Sequence, residues 1–205
     1  MSFLTLRSHT VARLLSALGC TIIAYTATPR LSSTSRQDHG YCVPGTGDLS
    51  GTIPAQWFSG TTKKALHTFL SQQLDILVVV LPLTPSTTNL FSTEEFKILS
   101  EHPNTTTGQK CLLINIARGR IIDQPALVSA LNEGLLRGAA LDVAVPEPLP
   151  MEDPLWAAKN VLITPHMSAL GIEYQSRAYD VLMTNLARRE KGEKMCNLVD
   201  REKGY

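Results

Sequence analysis

The run Leu74-Asp-Ile-Leu-Val-Val-Val-Leu81 constrains the fold more than any other stretch of the chain. It is apolar at consecutive positions rather than alternate ones, and Pro82 stops it. A strand with two apolar faces belongs in the middle of a parallel sheet that is covered on both sides. Three more short apolar runs follow, at residues 111–116, 138–143 and 161–163. Residues 21–25 form an earlier β-branched run. Between these lie segments with helical spacing. Residues 10–18 carry Val11, Leu14, Leu15 and Leu18, and residues 61–73 carry Leu66, Phe69 and Leu70. Thr93-Glu-Glu starts another helix, Asp123 caps one running through Leu131, and residues 171–191 form a long amphipathic one. Gly19 and Gly134 fit helix C-terminal ends. Strands alternating with helices predict an α/β fold, a doubly wound parallel sheet. Residues 31–60, rich in Ser, Gly and Pro, read as a long surface loop, and residues 102–110 as a small polar insertion before a core strand.

With 205 residues the chain suits one domain and part of a second: a nucleotide-binding unit over 1–170, then a helix and tail over 171–205. The net charge of +1 comes without a basic patch, which disfavours nucleic acid and anionic membranes as partners. The four cysteines are scattered with no CxxC pair, as expected of reduced thiols in the cytosol. No apolar stretch has the length of a membrane span. Residues 1–37 lack any acid while holding Arg7, Arg13, Arg30 and Arg36 among many Ser and Thr. That composition also fits a mitochondrial transit segment, the alternative to a cytoplasmic location.

Three residues stand just past apolar runs: Arg118, Glu147 and His166. In an open parallel sheet, the loops at the carboxyl ends of the strands converge on one crevice. An arginine there offers a planar fork of donors to a carboxylate. An imidazole moves a proton near neutral pH. A glutamate bonded to the other ring nitrogen would fix its tautomer, as the acid does in a Ser-His-Asp triad. Taken singly, each has a blander reading: a surface ion pair, a solvated loop acid, a satisfied histidine. No metal is expected.

Taken in order, four segments resemble the D-isomer-specific 2-hydroxyacid dehydrogenases, in particular the glyoxylate/hydroxypyruvate reductase-like members. They are Leu81-Pro-Leu-Thr-Pro-Ser-Thr87, Asn115-Ile-Ala-Arg-Gly-Arg-Ile-Ile-Asp123, Ala140-Leu-Asp-Val143 with Glu147-Pro-Leu-Pro150, and Thr164-Pro-His-Met-Ser168. The resemblance implies hydride transfer between NAD(P)H and the C2 of a small 2-keto or 2-hydroxy acid. It assigns Arg118 to substrate and His166 with Glu147 to acid–base work. It places Leu81, Pro82, Thr87, Ile116, Ala117, Arg118, Asp142 and His166 beside the cofactor, with Asp142 near the nicotinamide carboxamide. Asp142 could instead simply bond a nearby loop. A homodimer is expected on the same ground.

The same resemblance exposes a gap. A dinucleotide-binding unit opens with a strand and a glycine-rich turn, whose amides approach the pyrophosphate. Counting back from residues 21–25 puts that turn at about 1–7, where the sequence reads Met-Ser-Phe-Leu-Thr-Leu-Arg. No glycine occurs before Gly19, so both the first strand and the phosphate cradle are expected to be missing. The substrate domain, which in the family precedes that turn, is also expected to be absent. After Tyr25 no acid is available for a ribose hydroxyl, whereas Thr26 and Arg30 could meet a 2′-phosphate. That favours NADP over NAD. The competing function is a non-catalytic, cofactor-sensing or regulatory binding protein of the same fold.

Overall fold

The computed structural model describes residues 2–3, 8–38, 40–43, 45–106, 108–168 and 170–199. Seven strands form one sheet: β1 (Ser2–Phe3), β2 (Ile23–Thr26), β3 (Gln56–Ser59), β4 (Ile76–Val79), β5 (Leu112–Asn115), β6 (Gly138–Leu141) and β7 (Val161–Ile163). Their order is β3-β2-β1-β4-β5-β6-β7, and every pairing is parallel. This is the doubly wound order of dinucleotide-binding sheets.

The helices are α1 (Ser8–Ala17), the single-turn α2 (Ser33–Arg36), α3 (Lys63–Leu70), α4 (Thr93–Glu101), α5 (Gln124–Asn132) and α6 (Tyr174–Glu190). The chain reverses its direction across the sheet after β3. Right-handed crossovers therefore put α1 on one face and α3, α4 and α5 on the other. The main core follows from this. Leu66, Phe69 and Leu70 of α3, Phe96 and Leu99 of α4 and Leu127 of α5 pack on Leu77, Val79, Leu113, Ala139 and Leu141. Tyr25 and Phe58 close one end of this core against Phe69, with ring centroids 5.0 and 5.6 Å apart. Beneath α1 lies a smaller cluster of Ala12, Ile22 and Ala24, flanked by Leu15, Ile53 and Trp57.

Side-chain bonds set the helix starts. Asp123 accepts from the Ala126 N–H and from the Ser92 hydroxyl, so one carboxylate caps α5 and ties it to α4. Glu95 is buried, yet it accepts from Lys63 Nζ at 2.8 Å, from the Ser92 N–H at 2.9 Å and lies 2.8 Å from His67 Nε2. Burial pushes its carboxyl up, but these bonds outweigh burial and hold it below the ordinary range. Glu95, His67 and Glu94 form a tight cluster. Lys63 already supplies the countercharge there, so the cluster reads as an α3–α4 clamp.

Two expectations need correction. The first strand is not missing: Ser2–Phe3 occupies the central position between β2 and β4, with Ser2 paired to both Ala24 and Val78. Two residues carry no sequence signature, which is why the strand was illegible. Residues 1 and 4–7 of the expected cradle, and the tail beyond 199, lie outside the described residues. The loop over 31–60 is interrupted by α2 and by the edge strand β3, whose only cue is the aromatic pair Trp57-Phe58. The 102–110 insertion sits at the end of the sheet away from the carboxyl edge, with Asn104 bonded to Asp75 and Thr105 to Gln73. All four cysteines are free; Cys111 and Cys196 are buried and Cys20 and Cys42 half-buried. Burial pushes the Cys111 thiol up to about 12. No helix among the described residues is long and apolar enough to cross a membrane.

One face of the sheet is covered only in part. Trp57, Ala24, Val78, Ile114, Ala140 and Leu162 form one lateral row by register. The cluster under α1 covers the Trp57–Ala24 end, while Leu162 at the other end is 63% exposed. Unfolding in urea checks this asymmetry. Leu113→Ala, in the covered core, is expected to lose about 2–5 kcal/mol, and Leu162→Ser, on the open face, to stay within about 0.5 kcal/mol of the parent.

Candidate active site at the carboxyl edge

The register brings Asn115, Leu141 and Ile163 level at the ends of β5, β6 and β7. The loops that follow therefore leave from one edge. Beyond β5, Asn115 turns the chain: its Oδ1 accepts from the Ala117 N–H at 3.0 Å and its Nδ2 donates to the Arg118 carbonyl at 3.2 Å. A 3-10 turn, Gly119–Ile121, follows. Gly119 is required by proximity, because a Cβ there would lie 2.1 Å from the Ala144 carbonyl oxygen. The Arg118 loop thus lies directly against the loop after β6.

Asp142 is the first residue beyond β6 and is 5% exposed. Its Oδ1 accepts from Thr164 Oγ1 at 2.6 Å and from the Met167 N–H at 2.9 Å, and its Oδ2 from the Ser168 N–H at 2.9 Å. Burial alone would raise the carboxyl. The hydrogen bonds from Ser168, Thr164 and Met167 more than offset it and hold the group at about 2. These bonds wrap residues 164–168 around the carboxylate. His166 sits inside that wrap with φ +52°, in the left-handed region. Such a conformation costs about 1–2 kcal/mol. Its N–H donates to the Asp142 carbonyl at 2.9 Å, which helps to hold it there.

Glu147 completes the arrangement. Its Oε1 accepts from the Ala144 N–H at 3.0 Å, and its Oε2 lies 2.8 Å from His166 Nδ1. Both side chains remain reachable by solvent, at 39% and 44% exposure. Asp142, Glu147 and His166 line one cavity of about 520 Å³, with Leu149, Trp156 and Ile163 as its apolar wall. Arg118 stands one loop away along the same edge. Its side chain is exposed, folds back so that Nη1 donates to the Ala117 carbonyl at 2.6 Å, and does not line that cavity.

A second cavity, of about 200 Å³, opens beyond β2 and β4. Tyr25, Ala27, Leu66, Leu81, Pro82 and Leu90 give it apolar walls suited to a flat heterocycle. Thr87 shapes its rim, donating to the Pro82 carbonyl and accepting from the Thr84 N–H, each at 2.8 Å. Ile116 continues the ladder to Val79, and Ala117 is buried. Thr26 is buried with its hydroxyl on the Thr28 carbonyl. Arg30 donates to the Ser35 carbonyl and lines neither cavity. The turn Gly60–Lys63, which sequence reasoning passed over, forms another wall. Gly60 has φ +148°, and a Cβ there would meet Ala65 Cβ at 2.5 Å. The glycine just before a helix is the available signal, masked by the loop-like composition of residues 31–60. The first 18 residues hold no glycine for a diphosphate cradle.

The depressed Asp142 carboxyl links stability to acid. Its contribution is full above the ordinary carboxylate value of 3.8 and fades as pH falls towards about 2. Urea midpoints measured against pH should show parent and Asp142→Asn well apart above pH of about 4 and converging near pH of about 2. A gap unchanged across that range would contradict the assignment.

Residues 52–168, more than half of the chain, match the family profile described as the NAD binding domain of the D-isomer specific 2-hydroxyacid dehydrogenases. Among solved structures, a 2-hydroxyacid dehydrogenase of Xanthobacter autotrophicus Py2, in complex with NADPH and MES, is 34% identical with a TM-score of 0.68. The match covers 95% of this chain and 66% of that one. A probable 2-hydroxyacid dehydrogenase of Rhizobium etli CFN 42, in complex with NADP, HEPES and L(+)-tartaric acid, is 33% identical with a TM-score of 0.69, over 94% of this chain and 52% of that one. An NADPH-dependent glyoxylate/hydroxypyruvate reductase of Sinorhizobium meliloti, in complex with NADP and sulfate, is 28% identical with a TM-score of 0.73, over all of this chain and 55% of its own. The chain thus spans about half to two thirds of the length of these relatives. With the sheet order, the paired histidine and glutamate and these similarities together, the chain belongs to the D-isomer-specific 2-hydroxyacid dehydrogenase family.

Proposed function

We propose that this chain carries the nucleotide-binding part of an oxidoreductase acting on a small 2-keto or 2-hydroxy acid, of the glyoxylate or hydroxypyruvate type. The observation that carries the reading is the 2.8 Å contact between His166 Nδ1 and Glu147 at the same sheet edge as Arg118. With Nδ1 committed to the carboxylate, Nε2 is the ring nitrogen left to exchange a proton with a substrate oxygen. Arg118, once swung away from the Ala117 carbonyl, has the fork geometry to grip the substrate carboxylate. A bound dihydronicotinamide would supply the hydride to C2. Asp142 acts on this site through the 164–168 loop: its acceptors are taken up by that loop, which favours a supporting role over contact with a carboxamide.

Leu81, Pro82 and Thr87 would flank the cofactor from the apolar cavity, and Ile116, Ala117, Arg118 and His166 from the strand ends. NADP over NAD draws its support from the relatives solved with NADP or NADPH. The engagement of Arg30 by Ser35 weakens the reading of Arg30 as a 2′-phosphate ligand. Residues 1–170 would form the nucleotide-binding unit, and 171–205 a linking helix and tail that pack on a second domain. In support, no residue of α6 is buried, and Tyr179, Leu182, Met183 and Leu186 form an exposed apolar stripe along it. A cytosolic homodimer is the expected form.

Oxidation of NADPH by glyoxylate tests the proposal. His166→Gln should lower kcat by about 10²–10⁴ while NADPH binding survives. Arg118→Gln should lose about 10–10² in kcat/KM for the keto acid. Undiminished turnover by His166→Gln would overturn the acid–base assignment. No binding of millimolar NADPH by the parent chain would overturn the enzymatic reading of the chain and favour a non-catalytic role.

A further inference from the structure

We propose that Gln124 is a positioning residue that sets the geometry of the Glu147–His166 pair; this rests on the function proposed above. Gln124 is the first residue of α5, one position past the Asp123 cap. Its carboxamide grips one peptide residue in both directions. Gln124 Oε1 accepts from the Val145 N–H at 2.9 Å, and Nε2 donates to the Val145 carbonyl at 2.9 Å. Nε2 also reaches Asp153 Oδ2 at 3.2 Å. The neighbouring residue, Ala144, donates its N–H to Glu147 Oε1, and Glu147 Oε2 meets the imidazole. Three hydrogen bonds, with the Ala144 backbone between the first and the second, therefore lead from the Gln124 amide to His166 Nδ1.

The loop needs such a grip. Pro146, Pro148 and Pro150 have no N–H to donate. Among the described residues, none of residues 144–149 donates a backbone–backbone hydrogen bond. Side chains must hold the loop instead: Gln124 at its start, and Trp156 at its far end, where Nε1 donates to the Pro150 carbonyl at 2.8 Å. Gln124 has a further consequence because of where it sits. The chain runs from Arg118 through the Gly119–Ile121 turn to Gln124 within one short segment. Contact at Gly119–Ala144 and the two-way bond at Gln124–Val145 join the arginine loop to the glutamate loop at two points. The carboxamide thereby sets the offset between Arg118 and the acid–base pair, while lining neither of the two cavities described above.

Nitrogen-15 NMR of the histidine rings in the unliganded chain tests this without relying on turnover. Acceptance by Glu147 favours the Nδ1–H tautomer of His166, and Glu147→Ala should lose that preference. Gln124→Met, which keeps the side-chain length but makes neither bond, should lower the ratio of Nδ1–H to Nε2–H by about fivefold. A Gln124→Met ring spectrum identical to the parent, with Glu147→Ala shifted, would overturn the role of Gln124 alone. A parent ring indifferent to Glu147→Ala would overturn both this inference and the functional reading beneath it. Should Gln124→Met not fold, amide exchange in the parent decides: the Val145 N–H is expected to exchange at least about tenfold more slowly than the Leu149 N–H, and equal rates would refute the grip.

Discussion

A buried carboxylate governs the edge of this sheet. Asp142 directly follows β6 and gathers a hydroxyl and two backbone N–H groups from the segment that follows β7. Buried acids are tolerated only when their acceptors are filled, and here one short loop fills them. The filling forces residues 164–168 into a single shape, with His166 at a backbone conformation that a free loop would avoid. The imidazole then meets Glu147, which is steadied in turn by the Ala144 N–H. Without the bonds to the Asp142 carboxylate, the backbone bonds of the His166 N–H would be left to hold φ +52° by themselves, and the pair would lose its support.

The scaffold beneath is set by register. β5, β6 and β7 end level because each pairs in parallel with its neighbour, and their loops must then share an edge. Gly119 lets the arginine loop approach Ala144 to a distance that any Cβ would forbid. The bottom of the molecule carries none of this. The 102–110 insertion is anchored there through Asp75 and Gln73, so extra length at that end leaves the carboxyl edge undisturbed.

How much of this could be read from residues alone depended on the length of each signal. Leu74 to Leu81 declared a central strand because consecutive apolar residues fit little else, and Asp123 declared a helix start through its capping chemistry. β1 and β3 were illegible for a physical reason: two- and four-residue strands are selected by the neighbours they pair with, not by their own pattern. That Arg118, Glu147 and His166 share one edge was legible through their place after apolar runs. The Asp142 wrap and the Gln124 grip were not, because both join segments about 20 or more positions apart through backbone groups that leave no mark in the sequence. Arg30 is a different case: a residue type suited to a 2′-phosphate, whose guanidinium in this structure bonds the Ser35 carbonyl of its own loop.

The stripe on α6 and the end of the sheet face at Leu162 are both apolar surfaces that the described residues leave exposed. A parallel sheet is covered by helices on both faces, and among the described residues α1 packs on the first one, over the β2–β3 end. The matches cover 52–66% of the relatives that share this fold. The most direct test of the central claim is a crystal structure with NADPH and oxamate, an unreactive isostere of a 2-keto acid. The account predicts the oxamate carboxylate on Arg118 and its amide oxygen within about 2.6–3.2 Å of His166 Nε2, with Nδ1 still on Glu147. Oxamate bound away from Arg118, or an imidazole turned from it, would contradict the account.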